Sequence, residues 1–371
     1  MDFNDLLKLM VEKGASDLFI TAGVEPSIKV NGKISPVSSA KLTPEQARKF
    51  VFGVMSAKER QEFEDKNDCN FAISVSGVGR FRVSAFRQRN FSGMVLRRIE
   101  TKIPTLEELR LPAIIKQLAM TKRGMVLFVG ATGTGKSTSL ASVIGYRNQN
   151  SFGHIITIED PIEFMHQHAG CIVTQREVGS DTDSYEIALK NTLRQAPDVI
   201  LIGEIRTRET MEYAIAFSET GHLCLATLHA NNANQALDRI MSFFADDRRD
   251  QILMDLSLNL RGICAQQLIP TPDGKGRRIV VEVLLNTPLA SELIRKGEVA
   301  KLKELMKRST QEGMQTFDQA LFQLYRTGEI TAEDAIHYAD SGNEVRLMIK
   351  LGVEDSNRLG RTLDGVELLD R

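Results

Sequence analysis

The sequence lacks several features that would mark a secreted, membrane-spanning or zinc-binding protein. Its cysteines are few and far apart, with no CxxC pair and no matched histidine spacing: Cys69, Cys171, Cys224 and Cys264. This usage argues against a structural zinc site and is typical of a reducing compartment. The first residues, MDFNDLLKLM, are acidic and amphipathic and do not resemble a signal peptide. The longest apolar runs, such as GMVLFVG and VILIG, are too short to span a membrane, so we expect a soluble cytoplasmic protein.

Net charge is also nearly absent. The 47 basic and 48 acidic side chains leave a formal net charge of −1, so no global positive field attracts nucleic acid or an anionic membrane. The chain also lacks a strand platform of aromatic and basic side chains, which counts against a nucleic-acid translocase. We therefore expect no nucleic-acid partner.

The 371 residues allow two domains with a helical extension, and the first predicted domain covers residues 1–99. Helical stretches alternate there with the short strand patterns DLFITA and SIKVNGK. Three further stretches, FAISVSG, GRFRVSAFRQ and GMVLRRI, predict antiparallel strands, because turn residues separate them and their apolar positions alternate. This pattern indicates an α+β domain. Residues 100–112, with two prolines and several charges, predict a linker.

Residues 113–285 have the sequence pattern of an α/β domain. Continuous runs of Val, Ile and Leu in GMVLFVG, HIITIED, DVILIGE and HLCLATLHA are expected of strands buried on both faces. We therefore predict a mostly parallel sheet covered by helices. Residues 286–351 predict helices throughout, and the polar residues 352–371 predict a frayed tail.

Two helices of this α/β region carry recognisable boundary signals. Asp183 with Glu186 predicts a capping box that opens a helix running to Gln195. Thr207 predicts the cap of a second helix, which stops at Gly221.

The segment GATGTGKST carries the strongest functional signal. It matches GxxxxGK[ST], follows a strand pattern and precedes a helical one. In such a loop the backbone N–H groups approach phosphate oxygens, Lys136 reaches the β and γ phosphates, and the Ser137 hydroxyl joins a magnesium ion. We therefore predict an ATP or GTP site formed by the residues of this loop: Gly130, Ala131, Thr132, Gly133, Thr134, Gly135, Lys136, Ser137 and Thr138.

Two acidic segments follow. DVILIGE places Glu204 just after a strand, where a P-loop site needs an acidic residue to hold the water shell of the metal; the alternative is a surface glutamate that closes a strand. TIEDPIEF groups Glu159, Asp160 and Glu163 at a strand end. Carboxylates so close together repel one another unless a cation or water takes up their charge, so a metal-facing position and a solvated acidic turn both fit. One of them could polarise the attacking water.

Two histidines, His222 and His229, bracket the last apolar run. A lone histidine on an apolar strand is more often a hydrogen-bonded structural group than a catalyst. Thr227 and His229 nevertheless lie toward the carboxyl end of a parallel strand, where ligands of open α/β sheets bind. Zinc binding is disfavoured, because the spacing across a strand does not place both rings at one site.

In this order, the four segments resemble the Walker A, Asp box, Walker B and His box of the secretion ATPase superfamily, and most closely those of the type IV pilus retraction ATPases PilT and PilU. The likeness extends to GASDLFITAG, RFRVSAF and GMQTFDQAL and covers nearly the whole chain before the tail. It implies a PAS-like N-terminal α+β domain, a RecA-like P-loop ATPase core of the α/β class and a C-terminal helical region, assembled as a ring of six.

The resemblance also implies roles for single residues. Glu163 matches the glutamate that activates water, and Glu204 matches the residue that positions magnesium. Arg82 and Arg97 match N-terminal-domain arginines that reach nucleotide phosphates across the interdomain cleft. Three more arginines fall at family positions at subunit interfaces: Arg194, Arg206 and Arg239. The other arginines of this region are interpreted as strand-face residues that hold acidic neighbours: Arg80, Arg87, Arg89 and Arg98.

Two departures from the family pattern point to its PilU branch. Phe19 stands where the family often has histidine, and ASELIRKGE, residues 290–298, lacks the arginine and asparagine of the corresponding PilT motif. The resemblance therefore implies a magnesium-dependent accessory ATPase at the cytoplasmic face of the inner membrane, with a PilT-type ATPase and a membrane platform protein as partners. The alternative is an assembly or type II secretion ATPase, but those relatives commonly carry a four-cysteine zinc element.

Overall fold

The computed structural model describes residues 2–30, 32–99 and 102–352. These residues form two compact units. The first unit contains the described residues up to Lys102, together with Ile162–Met165 and Glu177–Asp183. The second unit contains the rest of the described chain.

The first unit is an antiparallel sheet with three helices. The helices are α1 (Phe3–Glu12), α2 (Pro44–Gly53) and α3 (Ala57–Lys66). The strands are β1 (Asp17–Ile20), β2 (Ser27–Val30), β3 (Lys33–Pro36), β4 (Asp68–Val75), β5 (Gly79–Gln88) and β6 (Phe91–Arg98). They are ordered β3-β2-β1-β6-β5-β4, and the predicted antiparallel pairing of β4, β5 and β6 is confirmed.

Local signals explain where the helices of this unit begin. At α2, the Thr43 hydroxyl accepts the N–H of Gln46, while the Gln46 side chain accepts the N–H of Thr43. Pro44 occupies the first helical position, where the absence of an N–H costs nothing. The apolar faces of the helices and one face of the sheet then enclose a core that includes Leu7, Phe63 and Phe81.

The second unit is built on a seven-stranded sheet. Its strands are β7 (Gly124–Val129), β8 (Gly153–Glu159), β9 (Cys171–Glu177), β10 (Val199–Ile202), β11 (Leu223–Leu228), β12 (Leu260–Pro270) and β13 (Arg277–Leu285). The order is β13-β12-β7-β11-β10-β8-β9. Five strands are parallel in this order: β12, β7, β11, β10 and β8. The predicted mostly parallel sheet is therefore confirmed, with β13 antiparallel to β12.

Helices complete the second unit. Those before β13 are α4 (Ile114–Ala119), α5 (Lys136–Asn150), α6 (Tyr185–Thr192), α7 (Arg208–Glu219), α8 (Ala233–Met241) and α9 (Arg249–Asn259). Those after it are α10 (Pro288–Arg295), α11 (Leu302–Arg308), α12 (Phe317–Arg326), α13 (Ala332–His337) and α14 (Gly342–Leu351). The predicted helical character after Asn286 is confirmed. Except for Gly352, the predicted tail lies outside the described residues.

One predicted helix boundary is wrong. Ser184, and not Asp183, caps α6: its backbone is extended and its hydroxyl accepts the N–H of Ile187. The α-helix also ends at Thr192, and a short 3₁₀ turn covers the remaining residues to Gln195. The prediction that Thr207 caps the next helix is confirmed by α7.

Candidate nucleotide site and its acidic neighbours

The P-loop joins β7 to α5, as the sequence predicts. Gly130 is sterically required: a Cβ atom there would lie 2.5 Å from the Thr134 Oγ1 atom and 2.7 Å from the Gln266 carbonyl oxygen. Gly135 has a φ of 88°, which lets the chain turn into the helix without strain. The loop therefore brings backbone N–H groups and the positive end of the α5 dipole to one place, an arrangement suited to phosphate.

Lys136 is nearly enclosed by the loop. Its ammonium group donates hydrogen bonds of 2.8 Å to the carbonyl oxygens of Gly130 and Ala131, and the residue is 9% exposed. Ser137 and Thr138 follow in the first turn of α5. The charge of Lys136 is thus held directly over the loop that the sequence identifies.

Glu204 lies at the same edge of the sheet as the P-loop, because β7, β11 and β10 are neighbouring parallel strands. Its Oε1 atom lies 2.8 Å from the His229 Nε2 atom, and its Oε2 atom lies 2.6 Å from the Arg206 Nη2 atom. Arg206 also approaches Asp160, at 3.9 Å. The structure therefore brings Asp160 and His229, which are distant in sequence, together with Glu204 and Arg206.

Glu159 is held by neutral donors at the end of β8. Its Oε1 atom accepts hydrogen bonds from the Thr157 hydroxyl at 2.6 Å and from the Gln175 side-chain amide at 3.2 Å. Tyr185, which sequence reasoning missed, lies beside these carboxylates. Burial and the charges of Asp160 and Glu159 raise the pKa of Tyr185, so its hydroxyl group stays protonated.

His222 is not brought to this cluster. It precedes β11, whose first residue pairs with Gly124 at the start of β7, so it lies at the edge of the sheet opposite the P-loop. Its Nδ1 atom lies 3.1 Å from the Thr220 Oγ1 atom and 3.3 Å from the Phe217 carbonyl oxygen. These contacts give His222 the local structural bonds expected of a histidine at a strand end, whereas His229 joins the acidic side chains.

A second cluster belongs to the first unit. Arg82 and Arg97 are directly opposite each other on β5 and β6, and with Glu163 they line a cavity of about 320 Å³. Arg97 also pairs with Asp17 on β1, with 2.9 Å between its Nε atom and the Asp17 Oδ1 atom. Arg98, interpreted from the sequence as a strand-face residue, lines the same cavity. The structure therefore groups three guanidinium groups in a place suited to an anion.

Glu177 explains why two later segments belong to the first unit. Its Oε2 atom accepts the Ile162 N–H at 3.2 Å and lies 3.7 Å from the Arg80 Nη2 atom. The interpretation of Arg80 as a strand-face arginine with an acidic neighbour is confirmed by this pair. Because Ile162 is next to Glu163, the same carboxylate fixes the backbone that carries Glu163.

The remaining predicted arginines lie on the surface of the second unit. Arg194 is exposed in the 3₁₀ turn that follows α6. Arg239 is exposed on α8, with its guanidinium 5.1 Å from the centre of the Phe243 ring. Neither lies in the acidic cluster around Glu204.

The fold and the P-loop edge define the protein class. Residues 2–337 match the family described as type II/IV secretion system protein, and the chain belongs to this family. Within the family it groups with the type IV pilus ATPases PilT and PilU, so the predicted family, the ATPase activity and the fold class are confirmed.

The relatives match this chain over most of its length. The type IV pilus ATPase PilU of Pseudomonas aeruginosa is 71% identical over 369 residues, covering 99% of this chain and 97% of the relative. The type IV pilus retraction ATPase PilT of the same organism is 39% identical, covering 90% of this chain and 97% of the relative. A crystal structure of the pilus retraction motor PilT with bound ADP matches with a TM-score of 0.86 at 39% identity, covering 97% of this chain and 99% of that one. In the described part of this chain, we find no helix with the length and apolarity needed to cross a bilayer.

Proposed function

We propose that this chain is the accessory ATPase of a type IV pilus retraction machine and that it works as a ring of six copies. The observation that carries the proposal is the single sheet edge at which the P-loop, Glu204 and His229 lie together. Its extensive similarity to PilU supports the accessory role, as does the PilU-like sequence at α10. The work done by ATP is then mechanical, the removal of pilin from the fibre.

The alternative of a type II secretion ATPase has less support. The type II secretion system protein E of Klebsiella pneumoniae is 31% identical, and the match covers only 54% of that protein. The four cysteines of this chain are buried and separate from one another, so they do not form the four-cysteine element of such relatives.

In the proposed reaction, the P-loop binds and orients the nucleotide. Its N–H groups and the first turn of α5 receive phosphate oxygens, and Lys136 exchanges its bonds to loop carbonyls for bonds to the β and γ phosphates. Glu163 accepts a proton from water as the water oxygen attacks the γ-phosphorus and the bond to the ADP oxygen breaks. Arg82 and Arg97 bind the phosphates and offset the charge that develops there.

Magnesium fits the donor chemistry of the P-loop edge. The ion usually takes one or two carboxylates together with water and substrate phosphates. Ser137 offers a hydroxyl group in the first turn of α5, and Glu204 offers a carboxylate beyond β10. We propose that Ser137 holds the ion directly and Glu204 through water. When bound, magnesium supplies neutralisation of phosphate charge.

The proposed partners are a PilT-type retraction ATPase and the inner-membrane platform protein of the pilus, contacted from the cytoplasmic side. The near-zero net charge supports protein partners over nucleic acid. We assign Arg194, Arg206 and Arg239 to contacts between subunits of the ring, and we propose no direct membrane insertion.

The test is steady-state ATP hydrolysis by the purified full chain, alone and mixed with a PilT-type ATPase, with Lys136→Ala as the inactive control. An accessory motor should hydrolyse ATP, and the mixture should exceed the sum of the separate rates. Additive rates would contradict the accessory role. A lack of ATP hydrolysis by the chain, both alone and in the mixture, would contradict the motor itself.

A further inference from the structure

Tyr185 lies where the acidic residues that end β8 and follow β10 approach each other. It is the first residue of α6, directly after the Ser184 cap. A Cβ atom on Gly203 would lie 2.9 Å from the Tyr185 hydroxyl oxygen, 3.0 Å from the Glu159 Cα atom and 3.1 Å from the Ile158 carbonyl oxygen. The missing side chain of Gly203 therefore makes the space in which the hydroxyl group and the end of β8 meet.

This space adjoins the residue that precedes Glu204. Gly203 is the link between β10 and Glu204, and its carbonyl oxygen accepts a hydrogen bond from the Thr227 hydroxyl at the end of β11. The ends of three neighbouring strands, β8, β10 and β11, therefore lie close together beside Gly203. The Tyr185 hydroxyl group reaches the same place from α6.

The charges around Tyr185 favour the protonated form of its hydroxyl group, which can donate a hydrogen bond. Asp160, Glu159 and Glu204 all act on the phenol, and Arg206 opposes them. Among the described residues, the Tyr185 hydroxyl makes no hydrogen bond to the protein, whereas both Glu204 oxygens contact cationic or ionisable partners. A phenol that keeps its proton among carboxylates can donate to a water molecule that those carboxylates also bind.

We propose that Tyr185 is a positioning residue for ATP hydrolysis, whose hydroxyl group donates a hydrogen bond to water shared with Glu159 and Glu204 and so fixes these two carboxylates relative to the γ-phosphate. It acts through the acidic segments and not on the nucleotide itself. The hydrogen bond of the hydroxyl group therefore stabilises the transition state, in which negative charge develops on the phosphate. The binding of ADP does not depend on it.

The test is Tyr185→Phe in the full chain, which keeps the ring against Gly203 and removes only the hydroxyl group. Tyr146→Phe is the matched control, since Tyr146 lies on α5 with the Lys116 ammonium 5.8 Å from its ring centre. We expect Tyr185→Phe to lower kcat about tenfold, the effect of one lost hydrogen bond. KM, ADP affinity and the thermal midpoint should match the control.

A second measurement does not depend on turnover. Affinity for ADP with aluminium fluoride, which imitates the transition state, should fall about tenfold in Tyr185→Phe relative to ADP alone. Unchanged kcat and unchanged aluminium fluoride affinity would overturn the proposal and leave Tyr185 as a packing residue. An equal loss of ADP and aluminium fluoride affinity would also overturn it, because it would indicate a general defect of the site.

Gly203→Ala provides an independent variant, because the added methyl group displaces the hydroxyl without removing it. We expect the same selective loss of aluminium fluoride affinity. In the double variant with Tyr185→Phe, the losses should be clearly less than additive, since both changes remove one interaction. Additive losses would overturn the proposal.

Discussion

Glu282 lies where a carboxyl group is difficult to ionise. Its side chain on β13 is 1% exposed, and its Oε1 atom accepts the Ala233 N–H at 2.9 Å. Its Oε2 atom has no hydrogen-bond partner among the described residues. Burial raises the pKa of Glu282 from 4.5 to about 7; Asp340 adds to the rise, while Lys303 and the N–H groups of Ala233 and Phe317 oppose it.

This pKa makes the stability of the folded chain depend on pH. Between about pH 4.5 and pH 7, folded Glu282 keeps a proton that the unfolded chain releases. The folded state binds more protons in this window, so the free energy of unfolding falls as the pH rises and levels off above about pH 7. At about 1.4 kcal/mol per pKa unit, the contribution of Glu282 is about 3 kcal/mol.

The variant Glu282→Gln isolates this contribution. Glutamine does not titrate, and its side-chain oxygen can still accept the Ala233 N–H. The exposed Glu333 on α13 provides the control Glu333→Gln. The measurement is the free energy of unfolding in urea at pH 5 and pH 8. The unmodified chain and the control should lose about 3 kcal/mol more than Glu282→Gln between these values.

The comparison between the two pH values removes any constant cost of the substitution. Titrating groups that do not interact with Glu282 contribute equally to the unmodified chain and to Glu282→Gln, so they cancel. If Glu282→Gln and the unmodified chain change in parallel, the buried carboxyl is not neutral at pH 5 and the reasoning fails.

The remaining predictions concern the nucleotide. Lys136→Ala should lose most ATP affinity in a folded protein, because backbone dipoles alone do not offset phosphate charge; unchanged affinity in a binding titration would remove the P-loop assignment. Arg97→Ala should lower turnover more than affinity, with the exposed Arg60→Ala as control, and full activity would return Arg97 to a structural role. Glu163→Gln should bind ATP with magnesium but hydrolyse it about a hundred- to ten-thousand-fold more slowly in a single turnover. Glu204→Gln should also weaken the magnesium dependence of binding, and an intact dependence would refute this division of roles.

The sequence predicts the P-loop edge well, because the residues that form the loop are contiguous in the chain. A strand, a glycine-rich loop and a helix with Lys136 at its first position are contiguous in the chain. Glu204 and His229 each follow an apolar run, and carboxyl ends of parallel strands meet at one edge. The contact of 2.8 Å between them needs only that β10 and β11 be neighbours, which follows for consecutive strands of this kind more often than not.

The residues that sequence reasoning missed depend on tertiary contacts. The position of Tyr185 beside Gly203 comes from packing of α6 against the sheet, and no spacing in the sequence reports it. The Asp17–Arg97 pair joins two neighbouring strands, β1 and β6, that are 80 residues apart in the sequence. Glu282 did carry a signal, a glutamate inside the apolar run IVVEVLL, but whether such a residue is exposed at an edge or buried depends on the helices that cover it.

The two clusters differ in charge, and this difference bears on what each can bind. In the first unit, Arg82, Arg97 and Arg98 outnumber the neighbouring Glu163 and Asp17, so the cluster favours an anion. In the second unit, carboxylates prevail beside a P-loop that supplies N–H groups and Lys136, so the acidic side chains favour a cation next to a phosphate-binding loop. A nucleotide with a divalent metal carries both charges. With the roles proposed above, substitutions in the arginine cluster should act on phosphate and substitutions at Glu204 on the metal, so the Arg97 and Glu204 variants test the two roles separately.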